Sequence, residues 1–225
     1  MPRAAALFKL ESDLVPILSR HLKSQLLGPK LARRSLALPH FQIGMTIPDL
    51  LIIAARGEQA TKPARRVRLT AFDAWVVTAL KRAGPLRHDE IVQELHSQPE
   101  RVQFAIRRLQ RHRLVKRTDD STYVLNSRRF SLTAEIVAVE AKLARWADGI
   151  GQALSYLSFA NRAYVALPQR TVLNSRKVRE ACRDSGIGLI SVGASRTQVL
   201  VRPMRREPLS PERVWLIWKT LGLRD

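Results

Sequence analysis

Residues 136–156 read IVAVEAKLARWADGIGQALSY, and the change of rhythm inside this stretch decides the fold class. Ile136 to Val139 is an apolar, β-branched run of the kind that fits a pleated sheet. Side chains alternate along a strand, so Glu140 and Lys142 leave on one face while Val139 and Ala141 leave on the other. From about Leu143 the period lengthens. Leu143, Trp146, Ile150, Leu154 and Leu157 recur at intervals of three or four, the mark of an amphipathic helix. Gln152 and Tyr156 stand four apart and share a face of it. A strand passing directly into a helix predicts an α/β domain in which a carboxylate, an ammonium, an amide and a phenol are aimed at one region.

Toward the N-terminus, a helix is expected from near Ala4 to Leu27, burying Leu7, Leu10, Leu14, Ile17, Leu18 and Leu22, with Pro16 as a point of bending. Glu11 lies beside that apolar face, either as a solvated glutamate or as a carboxylate facing a site. Gly28-Pro29 ends the helix, and Leu36 to Ile43 has strand character. Pro48-Asp49 then introduces the apolar run Leu50 to Ala55, a buried strand with Asp49 at its mouth. Taken alone, an aspartate before a strand is more often a turn residue than a ligand. Residues 56–68, RGEQATKPARRVR, are polar, basic and broken by Gly57 and Pro63, as linkers are.

From Leu69 to Leu125 the signature changes. Thr70 and Asp73 start a helix with Phe72, Trp75, Val76, Ala79 and Leu80, stopped by Gly84-Pro85. A short helix follows with Ile91, Val92 and Leu95 inward. Ser97 and Glu100 form a capping box for a third helix whose inner face is Val102, Ile106 and Leu109. Gln98, Arg101, Gln103, Arg107, Arg108 and Arg111 face outward. Leu114 to Thr118 and Thr122 to Leu125 then form a β-hairpin bearing Lys116 and Arg117, turning at Asp119-Asp120-Ser121. Beyond the central stretch, Ala163–Leu167, Leu189–Val192 and Thr197–Val201 read as strands, Ser175 to Ser185 as a helix, and Ser210-Pro211-Glu212 as the start of a last helix burying Val214, Trp215, Ile217, Trp218 and Leu221.

The chain has 225 residues, enough for one large or two small domains, and 39 basic against 19 acidic residues give a net charge of +20. That imbalance points to a polyanionic partner, nucleic acid before membrane, since no long apolar helix accompanies the basic residues. Cys182 is the only cysteine, which excludes a disulfide framework and a cysteine-based zinc site. The N-terminal residues meet acids too soon for a secretory signal, so a cytoplasmic, nucleoid-associated protein is expected.

Two resemblances organise these readings. Three helices followed by a hairpin resemble the winged helix-turn-helix family over residues 66–127. This implies a recognition helix from Gln98 to about His112 and a wing near Asp120. The helix with Glu11, the Pro48-Asp49 pair, the Glu140-Ala141-Lys142 strand and the Gln152/Tyr156 helix together resemble the PD-(D/E)xK nuclease superfamily, the QxxxY pair being similar to its RecB-like branch. Pro48-Asp49 is the only Pro-Asp in the chain and Glu140-Ala141-Lys142 the only acid-x-Lys. The resemblance implies a restriction-endonuclease-like mixed sheet flanked by helices, formed by residues 1–62 and 128–225 and interrupted by the winged-helix insertion. The insertion would account for an interval between Asp49 and Glu140 longer than the family's usual one.

What the resemblance implies chemically is a Mg²⁺-dependent deoxyribonuclease, Mn²⁺ being a possible substitute. Asp49, Glu140, the Ala141 carbonyl and Glu11 would ligate the ion, Lys142 would act on the attacking water or the developing charge, and Gln152 and Tyr156 would position phosphate or lysine. Duplex DNA is the expected substrate. A double-strand break implies a homodimer, and a protein partner in repair or defence fits the class. Three other readings of the same residues stay open: a DNA-binding regulator or scaffold on a non-catalytic nuclease fold, an RNA-processing nuclease, and a merely structural salt bridge between Glu140 and Lys142.

Overall fold

A computed structural model describes residues 8–56, 69–126, 134–172 and 175–221. The expected start of the first helix, the linker after Arg56 and the boundaries placed at 62–66 and 127–128 lie outside the described residues. The chain divides into two units, Met1–Arg56 with Ala134–Pro208, and Gly57–Thr133 with Leu209–Asp225.

In the first unit a short 3-10 turn, Glu11–Leu14, leads into α1 (Val15–Leu27). Pro16 occupies the first turn of α1. Its missing N–H has no helical acceptor to lose there, so it opens the helix rather than bending it. Leu10 is consequently left outside and exposed, while Leu14, Leu18, Leu22 and Leu26 form a buried stripe at a spacing of four. Gly28 stops α1 with a φ of 74°, and α2 (Pro29–Ala32) follows. β1 (Ser35–Pro39) is shorter than Leu36–Ile43 predicted, because His40 turns to a φ of 49° and Ile43 pairs only with Thr46. β2 (Leu50–Ala55) is buried at every position.

The second unit begins with α3 (Ala71–Ala83), α4 (His88–Glu94) and α5 (Pro99–Arg111), followed by a hairpin of β3 (Val115–Arg117) and β4 (Tyr123–Leu125). Thr70 and Asp73 form the expected capping box and Gly84 the stop. The box expected at Ser97 and Glu100 does not form: Pro99 takes the first helical position, which moves the N-cap to Gln98.

Returning to the first unit, β5 (Ala134–Ala141) is the buried central strand and α6 (Trp146–Tyr156) its helix. Gly149, Ile150, Ala153 and Tyr156 line the inner face of α6, whereas Leu154, expected inward, is exposed. β6 (Arg162–Pro168), α7 (Gln169–Val172), α8 (Arg176–Asp184), β7 (Gly188–Val192) and β8 (Thr197–Val201) complete the unit. α9 (Pro211–Leu221) corrects the assignment of residues 128–225 to one domain. It belongs to the second unit, where Val214 and Trp218 share a core with Val76, Leu80, Ile106 and Leu109. Apolar periodicity shows that a helix is half-buried without naming the surface that buries it.

The fold of the first unit is α/β, a mixed six-stranded sheet in the order β1-β2-β5-β6-β7-β8 flanked by helices. β5, β6 and β7 run parallel; β1, β2 and β8 are antiparallel to their neighbours. On one face the leucine stripe of α1 packs on Leu50, Ile52, Val137, Val139, Tyr164 and Ala166. Alternation leaves Glu140 and Val165 on the other face, against α6. Among the described residues no helix is long and apolar enough to cross a membrane.

Candidate active site and nucleic-acid interface

Strand register assembles the site. Leu50 lies opposite Val139, so Asp49 lies opposite Glu140; Pro39 lies opposite Leu50, which carries His40 to Asp49. Opposed residues share a face, and Asp49 and Glu140 therefore project together despite their separation in the chain. Asp49 Oδ2 accepts a hydrogen bond from the Ala141 N–H at 2.7 Å, and its Oδ1 is 3.7 Å from His40 Nδ1.

Glu140 is buried with both oxygens engaged. Oε1 accepts from Lys142 Nζ at 2.7 Å, and Oε2 accepts from the Tyr156 hydroxyl at 2.5 Å. Lys142 also donates to Glu11 Oε2 at 3.3 Å, while Glu11 Oε1 accepts from the Leu143 N–H at 3.4 Å. A Cβ on Gly149 would stand 3.0 Å from Lys142 Cγ and 3.1 Å from Val165 Cγ1. Glycine there lets α6 lie against the lysine stem and brings Tyr156 within reach of Glu140.

Burial pushes the Glu140 carboxyl above its ordinary value, and the Asp49 charge adds to this, against the opposing hydrogen bonds from Lys142 and Tyr156. Burial works against the Lys142 charge, but the hydrogen bond it donates to Glu140 and the charges of Glu140 and Glu11 hold its pKa above normal. Burial, then Glu140, pushes the Tyr156 phenol up, which keeps it a donor. The site is a protonated lysine and phenol clamping one buried carboxylate, with Asp49 and Glu11 beside it.

The structure thus brings together Glu11, Asp49, Glu140, Lys142 and Tyr156. Gln152, expected among them, is exposed on α6. The Ala141 contact seen is through its N–H rather than its carbonyl. His40 was not foreseen, because only the β1–β2 pairing reveals its place. Among the described residues no group of three His, Cys, Asp or Glu side chains is arranged to share one ion. The donor chemistry nevertheless fits a hard dication. Each carboxylate oxygen carries a second lone pair beyond its hydrogen bond, and the influence of Asp49 on Glu140 is a repulsion that a cation relieves.

A second carboxylate of β5, Glu135, is fully buried and held by Arg162 at 2.9 Å, Arg205 at 3.2 Å and Arg56. Its odd position places it on the face away from Glu140, and these guanidinium partners make it a structural anchor.

In the second unit the predicted nucleic-acid contacts divide. Gln98, Arg101, Arg107, Arg111, Lys116 and Arg117 are exposed and Gln103 is half-buried. Arg101 lies over the Phe72 ring at 4.2 Å, and Arg117 donates to Ser121 Oγ at 3.0 Å. Arg108 is a correction. Its Nε and Nη2 donate to the two carboxylate oxygens of Asp73 at 2.7 and 2.8 Å, and Nη2 reaches Thr70 Oγ1 at 3.3 Å. Asp73 is fully buried, so Arg108 serves the packing of α5 on α3.

No protein-family model matches this chain, and no curated protein matches it. Among solved structures the chain is similar to the SPO1766 protein of unknown function from Silicibacter pomeroyi, at 11% identity and a TM-score of 0.44, over 95% of this chain and 85% of that one.

Proposed function

We propose that the chain is a metal-dependent DNA nuclease of the PD-(D/E)xK type, whose second unit is a winged helix-turn-helix that holds duplex DNA. The observation that carries this reading is the cluster at the end of β5, where Lys142 and Tyr156 bond Glu140, Asp49 bonds the Ala141 N–H 92 positions away and Glu11 bonds Lys142, 131 positions away. Asp49 and Glu140 would hold Mg²⁺ or Mn²⁺, with waters completing the shell. The ion, when bound, supplies polarisation of the phosphodiester and acidification of a bound water. Lys142 places a fixed positive charge where negative charge develops during attack. Tyr156 orients Glu140 through its hydroxyl, and the net charge of +20 draws the polyanion in.

The test is incubation of the protein with duplex DNA, single-stranded DNA and RNA, with Mg²⁺ or Mn²⁺ and with chelator. Cleavage of DNA only in the presence of metal supports the reading; cleavage of RNA alone redirects it. One observation favours a second reading, a DNA-binding scaffold without activity: Lys142 already hydrogen-bonds both Glu140 and Glu11, so these two carboxylates have a cationic partner without an ion. Duplex binding with no cleavage under any metal is its signature.

Burial holds the Glu140 carboxyl of the metal-free protein above its ordinary value. A raised folded-state pKa means that this group's contribution to stability is present below the unfolded value and lost as pH rises through the folded one. Thermal melts in chelator are therefore expected to show the wild type losing stability relative to Glu140→Gln as pH rises through the titration of Glu140; a gap between the two proteins that does not change with pH would contradict the buried setting assigned to Glu140.

Arg107 is the exposed arginine on which to test the interface. Arg107→Glu is expected to weaken duplex binding and lower the slope of log K against log salt by about 1. An unchanged slope removes α5 from phosphate contact.

A further inference from the structure

The outermost stripe of α5 carries an apolar residue where a solvated helix would carry a polar one. Val102, Ala105, Ile106 and Leu109 are buried, so helical geometry puts Glu100, Phe104, Arg107 and Arg111, at successive steps of four, three and four, along the opposite line. All four are exposed, and Phe104 is 64% accessible. A phenylalanine this open leaves apolar surface in water, and its position between Glu100 and Arg107 gives it no apolar neighbour on its own stripe. Within the second unit the basic side chains of α5 and β3 select a polyanion over an apolar protein surface as the occupant of this face.

We propose that Phe104 is a specificity-determining residue that packs on the 5-methyl group of thymine in the major groove, with Arg107 and Arg111, one and two turns further along α5, paired to phosphate or to guanine edges. The inference rests on the reading of α5 as a duplex-binding helix. Thymine presents in the major groove an apolar group that no other base presents there, and an aromatic edge is a suitable partner for it. Phosphate contacts alone give no reason for a phenylalanine at this position, because they carry no sequence information.

The test uses the full-length protein in chelator and a duplex enriched by repeated selection from a random-sequence pool. That duplex is resynthesised with deoxyuridine replacing thymidine at one site at a time, which removes only the methyl. For the wild-type protein, affinity is expected to fall about fourfold at one or two positions, the worth of one methyl group taken out of water. Phe104→Ala should bind the thymidine and deoxyuridine duplexes alike, and Phe104→Leu should restore part of the discrimination. Salt-dependent binding by the wild type with no loss at any deoxyuridine overturns the role of Phe104 and leaves the duplex-binding reading standing. Absence of salt-dependent duplex binding by the wild type overturns both. Discrimination that persists undiminished in Phe104→Ala also overturns the role of Phe104, and Phe104→Leu carries that comparison if the alanine protein fails to fold.

Discussion

Lys142→Ala is expected to lower metal-dependent cleavage by about a thousandfold, the scale on which loss of one positioned charge-stabilising donor acts. The loss follows from where the ammonium sits, 2.7 Å from Glu140 and 3.3 Å from Glu11 at the end of the central strand. Removing one partner of a buried ion pair ordinarily costs about 3–5 kcal/mol, because the other charge is stranded. Here Glu140 has an escape. Burial already pushes its carboxyl up, so it takes a proton, and Tyr156 retains a carboxyl oxygen to donate to. The variant should therefore melt as a folded protein while failing to cleave DNA in the presence of metal. Lys142→Met, which keeps the stem that packs against Gly149, separates lost charge from lost packing. A folded variant that cuts within a few-fold of the wild-type rate would end the assignment of Lys142 to chemistry.

The second large effect is on stability, and it falls on a residue that the sequence places among the DNA contacts. Arg108→Ala strands the fully buried Asp73 carboxylate and is expected to cost about 3 kcal/mol, at the low end for breaking a buried pair. The low end applies because a third of the Arg108 side chain is exposed and water screens part of the interaction. Asp73→Ala should cost a similar amount, and the double variant much less than the sum, since either change alone destroys the same pair. Urea unfolding of the four proteins measures this cycle. Additive losses, or a cost for Arg108→Ala below about 1 kcal/mol, would return Arg108 to the set of free surface cations. Arg107, one residue earlier and exposed, should show the reverse profile, with weaker binding and unchanged stability.

These two cases show what was legible in the sequence. Period and punctuation gave most elements: the apolar run before Glu140, the stripe of α1, the Thr70–Asp73 cap and the Gly84 stop all report on local geometry, which depends on neighbours in the chain. The pairing of Asp49 with Glu140 could be anticipated only from the resemblance, and sheet register supplies its physical basis. Arg108 and Arg107 are indistinguishable on paper because both lie off the inner face of the same helix. Asp73 separates them, and it comes from 35 positions upstream. Gln152 and Leu154 lie outward for a related reason: α6 starts at Trp146 rather than Leu143, and its inner face is set by Gly149 and Ala153, small residues that a count of bulky ones passes over. His40 and the triple guanidinium clamp on Glu135 arise from chain crossings with no local signature.

The allocation of α9 to the second unit bears on synthesis. Each unit is stitched from two separated lengths of chain, and the smaller one is finished by Val214 and Trp218. A ribosome that has already released α3, α4, α5 and the hairpin has made a bundle still open on one side. It stays so until the whole sheet of the other unit has been translated and α9 emerges. Neither unit can be cut from the gene as one uninterrupted fragment with its apolar interior intact.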